Sequence, residues 1–180
     1  MGLRDTIATL SGQRVALRPL SDDDLPEMRR ILAEEAVRKW WGTFDDERIR
    51  REIYGDEYLA PYAIVLGDRT VGSIQWHEED EPDYKRAGID IFVESAFHGT
   101  GVAPDALTTL ARYLFDERGH HAVDIDPHVE NARAIRAYEK IGFKPVGVRR
   151  RYVRGDDGMW HDSLLMDLLP EEMLVPELDG

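Results

Sequence analysis

Between residues 86 and 126 the chain spells out one crossover. An alternating segment, "AGIDIFVE", meets a glycine loop, "FHGTGVAP"; an apolar-periodic helix and a second strand, "HAVDID", follow. A strand–helix–strand run of this length cannot close as a hairpin, so its two strands must lie parallel. The segments around it point the other way. "YAIVL" and "TVGSIQWH" flank the turn residues "GDR", and "KPVGVRRRYV" and "HDSLLMDLL" flank "RGDDG". Both read as antiparallel pairs. The chain is therefore expected to fold as an α/β protein (an α+β mixed sheet) of about six to seven strands, mostly antiparallel, with a central parallel pair.

About four helices accompany these strands. After the strand "QRVALRPL", Ser21 and Asp24 form a capping box, and Leu25, Met28, Ile31 and Leu32 recur at helical spacing. A second helix is expected over about 45–59, with Ile49 and Ile53 turned inward. The third runs from about Ala103 to Arg118, buries Leu107, Leu110, Ala111, Leu114 and Phe115, and stops at Gly119. "ENARAIRAYEKIG" is the fourth. With no repeats or linkers, residues 1–180 read as one domain whose core spans about 13–169.

Charge and cysteine content limit the chemistry. The formal net charge is −13, from 36 acidic and 23 basic side chains. That field repels nucleic acid and anionic membranes and attracts cations; solubility alone accounts for it, and a polycationic small molecule is the functional alternative that specific residues must support. Cysteine is absent, which removes disulfides, cysteine-ligated metals and a cysteine acyl carrier. No metal is expected. No apolar run nears the roughly 20 residues of a membrane span, and no secretion signal opens the chain. A cytoplasmic monomer or homodimer is the expectation.

The glycine loop suggests a phosphate held by backbone N–H groups at a helix start. Gly99 and Gly101 let the backbone approach closely, although Asp105 in the first helical turn is mildly repulsive to an anion. Three ligand classes fit such a loop. The triphosphate pattern G-x-x-x-x-G-K-[ST] does not occur. The dinucleotide fingerprint has the right outline, with Asp124 and Asp126 about 20 residues on. Yet five residues, "ESAFH", separate strand from glycine, and Pro104 stands where the third glycine belongs. Coenzyme A remains.

"HGTGVA" (98–103) and "NARAIRAYEKIGF" (131–143) together resemble the two motifs of the GNAT superfamily of acetyl-CoA-dependent N-acetyltransferases. The resemblance implies a parallel pair splayed around acetyl-CoA, with a bulge in the strand before the loop. By residue-wise carry-over, His98, Gly99, Thr100, Gly101, Val102 and Ala103 form the pyrophosphate cradle. His98 replaces the family's Arg or Gln. Pantetheine would lie against the backbone of Phe92 and Val93, with Asn131 and Ala134 opposite. Tyr138 falls at the position of the acid that protonates the thiolate; packing in the core is the other reading. Asp90, in the middle of an apolar strand, is the candidate base, and a structural salt bridge is its alternative.

A narrower resemblance rests on "KWWG" (39–42), "GID" (88–90) and "DPHVENARAIRAYEKIGF" (126–143). These segments are similar to the aminoglycoside 6′-N-acetyltransferases of antibiotic resistance. They imply an acceptor site of Trp41, Asp126 and Glu139 beside Asp90, with Glu78 and Glu79 from the acidic segment. Trp76-His77 stands there instead of a tandem tryptophan. Acetylation of ribosomal-protein N-termini, suggested by "RVALRPLSDDDL", and of polyamines are the rival acceptors. A non-catalytic CoA sensor would keep the loop and lose the acid and base.

Overall fold

The computed structural model describes residues 2–178. Its strands are β1 (Leu10–Ser11), β2 (Val15–Pro19), β3 (Ala60–Leu66), β4 (Arg69–Glu79), β5 (Arg86–Val93), β6 (Val123–Ile125), β7 (Lys144–Arg154) and β8 (Trp160–Leu168). They form one sheet in the order β1-β2-β3-β4-β5-β6-β8-β7. Every neighbouring pair is antiparallel except β5–β6. Five helices cover it: α1 (Leu25–Leu32), α2 (Glu35–Trp41), α3 (Asp46–Ile49), α4 (Val102–Asp116) and α5 (Ala132–Glu139). The expected mixed sheet is present, with one strand more than the sequence indicated, the two-residue β1.

Two helices differ from the sequence expectation. The helical run after Ser21 breaks at Glu34, whose carboxylate accepts from the Ser95 N–H at 2.7 Å and pairs with Arg30 at 3.2 Å. The helix expected over 45–59 is shorter: α3 passes into a π-helical turn, Arg50–Tyr54, and stops at Gly55. The Ser21–Asp24 capping box forms. Asp24 is also buried, where desolvation would raise its pKa, but a bidentate Arg18, the Ser21 N–H and the Thr70 hydroxyl hold it at about 2.

Strand alternation divides the interior into two cores, one on each face of the sheet. Ile89, Ile91 and Val93 pack with Leu107, Leu110 and Leu114 of α4. Phe92 packs on the other face with Met28, Ile31, Ile49 and Ile53. Asp90 shares that second face, opposite Gln75 of β4.

The parallel pair is short. β5 and β6 pair only at Ala87↔Val123 and Gly88↔Asp124. Beyond Ile125 the chain reaches Pro127, which has no N–H for a ladder, and turns to β8, where Leu164 N–H donates to Pro127 O at 2.8 Å. Among the described residues, no strand lies beside the rest of β5 on that edge. Ala87 N–H points toward β6 and Glu94 N–H toward β4, so alternation aims the backbone groups of Ile91 and Val93 into the gap. No bulge accompanies the splay: the β4–β5 register is unbroken from Glu79↔Arg86 to Gly72↔Val93. The register shift lies instead at Ile64/Val65, between β3 and β4.

Candidate active site

The gap between β5 and β6 widens into a cleft of about 1390 Å³. Ligand pockets usually enclose about 300–1,000 Å³, so this one has room for two ligands side by side. The glycine loop closes one end. Gly99 and Gly101 adopt φ of 75° and 89°, which a side chain would strain. Val102 and Ala103 open α4, so their N–H groups have no intrahelical partner, and Pro104 has none to lose. These donors, with the Ile91 and Val93 backbone, suit a pyrophosphate followed by an amide-bearing arm.

Several residues of the expected donor site have partners within the protein. His98 turns back toward the strand, its Nε2 2.8 Å from Val93 O, and burial holds its pKa below the usual value. Phe92 offers the gap no backbone group, since its own face β4; its ring meets Trp41 edge-on at 5.0 Å. Thr100 Oγ1 donates to Phe97 O at 2.7 Å. Asn131 caps α5 by accepting from Ala134 N–H at 3.3 Å, and both residues line the cleft.

Asp90 and Tyr138 both line the cleft. Asp90 is half-buried, and its one hydrogen bond is a long contact of 3.5 Å from Gln75 Nε2. Among the described residues no cation pairs with it, so the structural salt bridge finds no partner. Burial drives its pKa up, against the opposing pull of His77 and Gln75. Tyr138 is 8% exposed, its ring 6.1 Å from Phe143. It therefore packs in the core as well as facing the cleft. Burial and the charge of Asp90 raise its pKa, which keeps the phenol protonated.

The acceptor end gathers most of the other expected residues. Asp126 lies in the cleft wall, paired with Arg149 at 3.0 Å, and its pKa is raised by burial and by Asp90. Trp41 stands between Phe92 and Phe44. Glu79 is exposed at the rim. Glu78 also reaches the cleft, but it accepts from His120 Nε2 at 2.8 Å and pairs with Arg118 at 3.7 Å. Glu139 lies on the exposed side of α5, outside the residues that line the cleft. Trp76 is fully buried against Tyr113 and His120, so it offers no ring to a ligand. Among the described residues no cluster of three or more His, Cys, Asp or Glu side chains could hold a metal ion.

Sequence reasoning missed Gln75, His77, Trp40 and His128. Gln75 and His77 sit directly across from Asp90 and Gly88, on the same face of the sheet. An amide and an imidazole two residues apart in the apolar "SIQWH" carried that signal. Trp40, its ring tilted against that of His128 at 5.7 Å between centroids, had only its neighbour Trp41 to announce it.

Residues 14–144 match the sequence family described as Acetyltransferase (GNAT) domain. An aminoglycoside N(6′)-acetyltransferase type 1 of Klebsiella pneumoniae is 29% identical over 162 residues, covering 79% of this chain and 80% of the relative. A [ribosomal protein bS18]-alanine N-acetyltransferase of Salmonella typhimurium is 26% identical, covering 86% and 96% respectively. Among solved structures, aminoglycoside acetyltransferase AAC(6′)-Ib in complex with coenzyme A superposes with a TM-score of 0.72. It is 26% identical and covers 88% of this chain and 96% of its own.

An uncompensated carboxylate inside a cleft has a measurable cost. A carboxyl whose folded pKa is raised lowers stability as pH climbs from its ordinary value through the raised one. Asp90→Asn should therefore raise the melting temperature at pH 7 to 8 and leave it unchanged near pH 3. Thermal denaturation at both ends checks this; an Asn variant less stable at pH 8 would mean that Asp90 holds the fold.

Proposed function

Because this chain belongs to the GNAT acetyltransferase family, whose members use acetyl-CoA, we propose that it acetylates the 6′-amine of an aminoglycoside. One observation carries the reading. Asp90 is a carboxylate in a cleft, with no cation paired to it among the described residues, next to Asp126 and across from the protonated Tyr138. A polyamine sugar brings the cation this arrangement lacks. The 29% identical aminoglycoside acetyltransferase and the net charge of −13 support the same acceptor class.

Acetyl-CoA, when bound, supplies an activated acyl carbon and a sulfur leaving group. The chain's own residues handle the protons. An amine is mostly protonated at neutral pH, and the ammonium cannot attack. Asp90 orients that ammonium and takes its proton, directly or through one water, and the raised pKa of Asp90 brings it closer to that of a useful base. Tyr138 gives its phenolic proton to the departing sulfur, and the second proton that the nitrogen sheds as it becomes an amide returns through water to the Tyr138 oxygen. The indole of Trp41 and the ring of Phe92 wall the acceptor end and limit water there. With no cysteine in the chain, direct transfer from donor to amine is favoured over a cysteine-linked intermediate.

Acetylation of a ribosomal-protein N-terminus is the second reading, favoured by the 26% identical Salmonella enzyme. A panel separates the two. Acetyl-CoA turnover should be brisk with kanamycin and absent with a derivative carrying hydroxyl in place of the 6′-amine. Equal turnover of both sugars would contradict the regiochemistry. Turnover of a peptide N-terminus alone would contradict the acceptor class.

Tyr138→Phe keeps the packing and removes the proton. It should lower kcat by about 10²-fold with donor affinity and melting temperature unchanged. A fully active variant would assign Tyr138 to packing alone.

A further inference from the structure

The turn between β1 and β2 brings a positive charge to the glycine loop that lies outside both motifs. Arg14 Nη1 donates to Thr100 O at 2.7 Å, in the middle of the loop. The same nitrogen lies 3.7 Å from where a Cβ on Gly101 would stand, beside Leu178, whose Cδ2 is 2.7 Å from that point. Its other guanidinium donors make no hydrogen bond among the described residues, and Arg14 lines the mouth of the cleft.

A buried carboxylate sets that position. Asp105, 2% exposed in the first turn of α4, accepts from three consecutive backbone N–H groups. They belong to Gln13 at 2.9 Å, Arg14 at 2.7 Å and Val15 at 2.9 Å. Gly12 permits the approach, since a Cβ there would fall 2.7 Å from the Asp105 carboxylate. An acid at this point in a helix should repel a phosphate at the helix start. Here its oxygens face the β1–β2 turn, and the helix that carries the loop is thereby tied to the turn that carries the guanidinium. His98, neutral and turned to Val93 O, brings no charge to the loop.

We propose that Arg14 is the cationic contact of the donor's pyrophosphate, and that Asp105 is its positioning residue. The inference rests on the reading of the glycine loop as the acetyl-CoA site. A guanidinium with free donors beside backbone N–H groups matches a phosphate oxygen in charge and geometry.

Titration calorimetry of the full chain with CoA and with dephospho-CoA, which keeps the pyrophosphate and lacks the 3′-phosphate, tests it. Arg14→Gln should weaken both ligands by about tenfold and reduce the salt dependence of both. Asp105→Asn should weaken CoA in the native background and have no further effect in the Arg14→Gln background. Melting curves establish that each variant is folded, and the exposed Arg14 decides the matter even where Asp105→Asn is not. Unchanged CoA affinity in Arg14→Gln would overturn the proposal. So would a loss that vanishes with dephospho-CoA, which would move the contact to the 3′-phosphate. Failure of the native chain to bind either ligand would sink the donor site itself.

Discussion

Backbone N–H and C=O groups that leave a sheet must find other partners. In this protein that requirement is concentrated on one edge of β5. β6 pairs with it for two residues and then leaves at Pro127. The groups of Ile91 and Val93 are left facing a cleft, and His98 answers one of them, the Val93 carbonyl. The gap orders the rest of the site. It sets the glycine loop at one end, Tyr138 on one wall, and Asp90 on the strand that forms the other. An amide-bearing arm can complete the ladder that β6 abandons.

The electrostatics follow from the same opening. Most buried or half-buried acids at the sheet and its cleft have a cation or a set of N–H groups. Asp24 has Arg18, Glu94 has Arg30 and Arg69, Asp105 has three backbone donors, and Asp126 has Arg149. Asp90 has a long contact with an amide. Folding around an unpaired carboxylate is a cost that a purely structural site would avoid, and sites of function commonly carry such costs. The contrast with its neighbours separates Asp90 from the many acids that serve solubility.

Much of the architecture was legible from local pattern. Alternation in "AGIDIFVE" placed Asp90 and Phe92 on the opposite face from Ile89 and Ile91, and the two cores divide along that line. The crossover identified the parallel pair. What the pattern could not convey was set by contacts distant in sequence. Glu34 breaks a helix because Ser95 lies against it, and Glu78 has His120 and Arg118 as partners from another element. Arg14 reaches Thr100 across 86 positions, so no motif window could contain both. Asp105 looked like an ill-placed acid until its three donors, 90 to 92 residues away, were in view.

Amide hydrogen exchange, read residue by residue, tests most directly whether the gap in the sheet is the donor site. In the free protein the Ile91 and Val93 amides should exchange faster than that of Phe92, which faces β4. Saturating CoA should slow Ile91 and Val93, together with Gly101, Val102 and Ala103 at the helix start. It should leave the Phe92 amide unchanged. Protection confined to the glycine loop, with Ile91 and Val93 exchanging as before, would contradict a donor lying along the open edge of β5.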